Sequence, residues 1–152
     1  DRLEQVMKIT PLESGQWQRV DRATADVFTG AAVNIFTIAG GRVLMLILTG
    51  KVTTVLGGAS TGKFSVDPTT GTTMDICAAG GSATDEEGTL YGMTGLVATA
   101  MIKGSSGGCA VMANPIVVDI GSITFTGGNV TGSASFQCWW RPLDDGATLV
   151  AA

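Results

Sequence analysis

Histidine is absent from all 152 residues, which removes the Ser-His-Asp and Cys-His arrangements that activate a hydroxyl or thiol, and the commonest metal ligand with them. Cysteine is scarce. Cys77, Cys109 and Cys138 are an odd number without Cys-x-x-Cys spacing, so neither a complete disulfide framework nor a cysteine-based zinc site is expected, and three buried thiols in a reducing compartment are the simpler reading. Charge is low as well, at 14% of residues with a net −4. Nine Lys and Arg scattered along the chain make no basic face to neutralise phosphates, so no nucleic-acid partner is expected. The longest unbroken apolar run is the six residues from Val43 to Leu48, far below the roughly 20 that cross a bilayer as a helix. No membrane partner and no cofactor are expected. Asp1 follows no signal-peptide pattern, and because it is not Met, trimming of the start stays open.

Glycine, at 22 residues, and hydrophobic residues, at 45%, are plentiful. Many glycines punctuating short Val, Thr and Ile runs point to an all-β chain, and strands recurring near every ten residues point to a β-sandwich or jelly-roll-like barrel. The length fits one domain with its own core. Residues 1–24 stand apart: they hold four of the nine basic residues, four of the thirteen acidic ones and a single glycine. Pro11 and Gly15 limit any helix there, so the segment is expected to be an extended N-terminal arm on a β-domain of residues 25–152, with an ordinary edge strand as the alternative.

The chain is expected to organise around Val33–Ile38 and Val43–Leu48, two apolar strands separated by Ala39-Gly40-Gly41-Arg42 and read as a β-hairpin. Strict alternation would place Val43, Met45 and Ile47 on one face and Leu44, Leu46 and Leu48 on the other. Both faces are apolar. One belongs to the core, and the other must be covered by a second sheet, a terminus or another subunit.

Motifs for chemistry are few. Gly57-Gly58-Ala59-Ser60-Thr61-Gly62-Lys63 fits the glycine and lysine positions of a phosphate-binding loop, but Phe64 supplies no hydroxyl for Mg²⁺, and the alternating run to Pro68 is no helix. A glycine-rich hairpin loop accounts for it better. A carboxylate pair of the glycosidase kind could be drawn only from Asp85, Glu86, Glu87, Asp119, Asp144 and Asp145, and no spacing favours one. Asp144-Asp145-Gly146 reads as a turn. Asp85-Glu86-Glu87 reads as a solvated loop tip, without the alternating oxygens of a calcium loop. No metal site and no enzyme are expected. Trp139-Trp140-Arg141 is the strongest aromatic cluster. On a strand its two rings point to opposite faces, one into the core and one toward solvent, a sugar or a subunit, and interface anchors are rich in Trp and Arg.

The order of segments from residue 30 to 152 resembles small β-rich structural proteins of tailed bacteriophage virions. The resemblance rests on the apolar pair Val33–Val43, on Gly50-Lys51-Val52-Thr53-Thr54-Val55, on Asp67-Pro68-Thr69-Thr70-Gly71 and on Gly88-Thr89-Leu90-Tyr91-Gly92-Met93-Thr94-Gly95. It continues through Pro115-Ile116-Val117-Val118 and the final Trp140-Arg141-Pro142-Leu143-Asp144-Asp145-Gly146. It implies a capsid decoration (cement) protein, commonly a trimer, assembled in the host cytoplasm and placed on the virion surface, where it reinforces the shell by binding the major capsid protein. The candidate capsid or subunit contacts are Arg2, Lys8, Trp17, Arg19 and Arg22 of the arm, Leu44, Leu46 and Leu48, and Trp139 and Trp140. The competing expectation is a carbohydrate- or receptor-binding β-sandwich of a fibre or tail, with Trp139 or Trp140 as the sugar platform.

Overall fold

In the computed structural model, which describes residues 17–152, no helix forms and two antiparallel sheets pack face to face as a β-sandwich. The strands are β1 (Gln18–Ala25), β2 (Ala32–Ala39), β3 (Val43–Thr54), β4 (Thr61–Pro68), β5 (Met74–Asp75) and β6 (Gly80–Gly81). They continue with β7 (Leu90–Gly92), β8 (Ile102–Gly104), β9 (Ile116–Val118), β10 (Gly121–Gly127), β11 (Ser133–Pro142) and β12 (Thr148–Ala151). One sheet runs β1-β11-β3-β7-β8, with β9 also on β3. The other runs β12-β2-β10-β4-β5, with β6 also on β4.

The expected hairpin is not one. β2 lies in the second sheet between β12 and β10, whereas β3 lies in the first between β11 and the pair β7 and β9. Gly40, at φ +79°, therefore turns the chain across the sandwich rather than back along its neighbour, and an added Cβ there would strike the Gly146 carbonyl. Residues 57–60 likewise carry the chain from β3 in one sheet to β4 in the other, where residues 61–63 already belong to β4, so this too is an inter-sheet connection and not a hairpin loop. Strict alternation also fails in β3. Trp139 pairs with Ile47 but Trp140 with Met45, leaving Leu46 as an extra bulged residue. Beyond the bulge the faces exchange: Val43 and Met45 are buried, then Leu48 and Val52, while Leu44, Leu46 and Ile47 face outward and are half-buried.

The core is aromatic at its centre. Phe125 of β10 meets Phe28 edge-on at 5.5 Å, Phe64 at 5.4 Å, and across the sandwich Phe136 at 5.3 Å and Tyr91 at 6.2 Å between ring centroids. The edge-to-face and tilted pairs, and the stacked Tyr91–Phe125 pair, add to the area that the rings remove from water. Around them β2 uses its own bulge, where Phe36 pairs with Ile123 but Asn34 with Thr124, to bury both Ile35 and Phe36. The second lid foreseen for β3 is thus the opposite sheet on one face only. Among the described residues no second sheet covers the other face.

Residues 18–24, the last part of the segment grouped as an arm, form with Ala25 the edge strand β1 on β11. Arg2 and Lys8 lie outside the described residues.

Candidate interaction face

The outer face of the first sheet collects most of the described contact candidates. Cross-strand partners share a face, so the register Arg19↔Trp139, Asp21↔Gln137 and Trp139↔Ile47 lines these side chains up on one surface. At one end Trp17, Trp139, Leu46 and Ile47, together with Val111, Met112, Ala113 and Pro115 of the loop before β9, enclose an apolar groove of about 450 Å³. Trp17 is 40% exposed. The Arg141 guanidinium lies over its ring at 4.9 Å from the centroid, a cation–π contact that fixes the ring at the rim.

Next to the groove runs a polar relay. Trp139 Nε1 donates to Gln137 Oε1 at 3.1 Å, Gln137 Nε2 donates to Asp21 Oδ1 at 2.9 Å, and Arg19 Nη2 meets Asp21 Oδ2 at 3.3 Å. Beyond it a second groove of about 410 Å³ is walled by Arg22, Thr49, Lys51, Leu90 and Ser135 among others. The sheet therefore presents an aromatic trough that grades into a basic one.

Two candidates leave this surface. Trp140 is 4% exposed and Leu48 1%, both in the core. Trp140 sits on the inward side of β11 with Ala134, Phe136 and Cys138, and Leu48 was turned inward by the bulge at Leu46. Neither can contact a partner directly. Arg22 is half-buried, and its Nε has no hydrogen-bond partner among the described residues. Leu44 is outward and half-buried, paired with Arg141 and Val117. Ile47, Val111, Ala113, Pro115, Gln137 and Asp21 were not foreseen. Only the bulge brings Ile47 out, and the loop residues come from a distant part of the chain.

The carboxylates considered for catalysis are held elsewhere. Asp85 is not at a solvated loop tip: its side chain is 4% exposed, accepts the Tyr91 hydroxyl at 2.6 Å, and pairs with Lys103 Nζ at 2.8 Å. Glu86 and Glu87 beside it are exposed. Asp144 is occupied by Arg42. Lys63, the lysine of the phosphate-loop match, pairs with Asp75 at 3.1 Å, and that carboxyl is held below its ordinary range by hydrogen bonds from Ser65 and then Lys63. Among the described residues no group of three or more Cys, Asp or Glu side chains is placed to hold a metal, and no helix is long and apolar enough to cross a membrane.

The described residues form a β-sandwich with an aromatic groove on one sheet face. No family model matches the chain, and no curated protein is significantly similar to it.

Proposed function

We propose that this chain is a structural virion protein of the capsid-decoration type, which self-associates as a trimer and reinforces a phage head by binding the major capsid protein. The observation that carries this reading is the apolar groove of Trp17, Trp139, Leu46 and Ile47. A domain with its own complete core has left large apolar side chains together on one sheet face, the usual mark of a protein contact surface. The order of segments resembling phage structural proteins gives the contact its partner. Attachment through several copies multiplies contacts that are weak singly.

The test is co-sedimentation of the purified chain with expanded shells of the major capsid protein, together with its mass by light scattering. A trimer that pellets with shells, and a Trp139→Ala chain that binds about tenfold or more weakly, are the expected results. A stable monomer that leaves shells unbound overturns the reading.

One observation favours a second reading, a carbohydrate-binding sandwich. The Trp139 ring stands beside hydrogen-bonding Gln137, Asp21 and Arg19 side chains, the mixture of apolar plane and directed polar groups that suits a sugar. A glycan-array signal lost in Trp139→Ala, with shells unbound, would establish it instead.

A further inference from the structure

We infer that the open face of the first sheet accepts an acidic protein segment carrying an apolar anchor, and that it does not pair with the same face of a second copy. The inference rests on the reading of this face as the capsid-binding surface and gives the chemistry of what it binds. Its starting point is where unpaired charge lies. Among the described residues four ion pairs form, Arg19–Asp21, Arg42–Asp144, Lys63–Asp75 and Lys103–Asp85. Among the described residues three cations have no carboxylate partner: Arg22, Lys51 and Arg141. Arg22 and Lys51 wall the basic groove, and Arg141 covers the Trp17 ring at the rim of the apolar one. The described carboxylates left over are Asp26, Asp67, Glu86, Glu87, Asp119 and Asp145, and none of these lines either groove.

The described residues thus gather their unpaired positive charge at one aromatic surface. Two such faces brought together would bury like charges against each other, a destabilising juxtaposition, whereas a segment with carboxylates flanking a Leu, Phe or Trp would fill the trough and meet the cations in one docking. The Trp139–Gln137–Asp21–Arg19 relay joins the two grooves and holds the central side chains in place before binding.

Selection of a random dodecapeptide library on the full-length chain tests this. Enriched peptides are expected to carry a large apolar residue beside two or more Asp or Glu. Enrichment is expected to fall at least tenfold on Lys51→Glu/Arg141→Glu and to survive Lys51→Arg/Arg141→Lys. Thermal melts matching the parent establish that the variants fold; should the reversal variant fail there, Lys51→Ala/Arg141→Ala replaces it, with a loss of threefold or more expected. Enrichment of neutral or basic peptides, absence of enrichment, or indifference to charge reversal overturns the inference. So does capture of phosphatidylserine vesicles in place of peptides, or an oligomer dissolved by Trp139→Arg, which would give the face to a second copy. Shells that still bind the Lys51→Glu/Arg141→Glu chain would sink this inference and leave the decoration reading standing, and acidic enrichment without shell binding would do the reverse.

Discussion

Arg42 and Asp144 lock two sheet-to-sheet crossings to each other. Arg42 follows the Gly40-Gly41 turn from β2 to β3, and Asp144 begins the turn from β11 to β12. The Asp144 carboxylate accepts from the Arg42 backbone N–H at 2.8 Å and from Nε and Nη2 at 2.9 Å each, while the Leu143 N–H donates back to the Arg42 carbonyl at 2.9 Å. A forked pair of this kind fixes direction as well as distance. It holds together the same end of both sheets.

This clamp makes a pH-dependent prediction. The Arg42 side-chain and backbone hydrogen bonds hold the Asp144 carboxyl at about 2, below its ordinary 3.8. A folded-state value below the unfolded one means that the stabilisation is fully present above about 3.8 and is lost as pH falls toward 2. Asp144→Asn is expected to lower the urea midpoint at pH 7, and the gap from the parent should close near pH 2. A gap of equal size at both pH values would show that the charge of Asp144 contributes nothing.

The buried Asp85 is expected to behave unlike its neighbours. Asp85→Ala strands the Tyr91 hydroxyl, on a residue with no exposure, and removes the partner of Lys103. A buried donor left unsatisfied costs about 1–3 kcal/mol, which a denaturant melt resolves. Glu86→Gln and Glu87→Gln, at exposed positions, should each stay within about 0.5 kcal/mol. Burial first, and then the Asp85 carboxylate, push the Tyr91 phenol well above its usual range. Because Tyr91 is the only tyrosine, tyrosinate absorbance should appear only as the chain unfolds in alkali, and a smooth rise in the folded state near pH 10 would contradict its burial.

How much of this was legible beforehand depends on the range of the signal. Short β-branched runs between glycines are local, and they gave the all-β sandwich correctly. Gly40-Gly41 was misread because the same residue types serve a hairpin and a crossing between sheets; what separates them is the pairing of β2 with β10 and of β3 with β11, which no local pattern carries. Alternation failed at Leu46 for a related reason. One inserted residue moves every later side chain to the other face, so Leu48 went to the core and Ile47 to the groove. Trp17 and Arg19 were visible as candidates of the arm, Leu46 from the doubly apolar strand and Trp139 from the aromatic pair, whereas Val111 and Pro115 join them only through the long return of the chain to β9. Asp85 looked solvated because its two acidic neighbours are; its partners Tyr91 and Lys103 arrive with β7 and β8.

The thiols should react in a fixed order. Cys77 and Cys138 are buried, while Cys109, expected to be buried with them, is partly exposed. Burial pushes the Cys138 thiol up to about 12 and raises Cys77 and Cys109 as well, and Sγ of Cys77 also accepts the Phe64 N–H at 3.2 Å. Since the thiolate is the reactive form, iodoacetamide at pH 8 should label Cys109 slowly and first. Peptide mapping should find Cys77 and Cys138 modified only after denaturant is added. Equal labelling of all three in the folded chain would contradict this packing.

The adjacent tryptophans give the sharpest separation of folding from binding. Trp140 belongs to the core, so Trp140→Ala removes a ring that the surrounding strands cannot replace, and truncations of this kind cost about 3–5 kcal/mol. Trp139 stands on the opposite face, and its ring packs on the groove and donates to Gln137. Trp139→Ala should therefore cost no more than about 1 kcal/mol while removing the centre of the proposed contact surface. Chemical melts and shell co-sedimentation on the two variants are expected to diverge: Trp140→Ala unfolds early, and Trp139→Ala melts nearly like the parent but pellets poorly with shells. If Trp139→Ala bound shells undiminished, the aromatic groove would not be the capsid contact, whatever else it holds. If instead the two variants lost stability equally, the assignment of inward and outward faces along β11 would be wrong at its central pair.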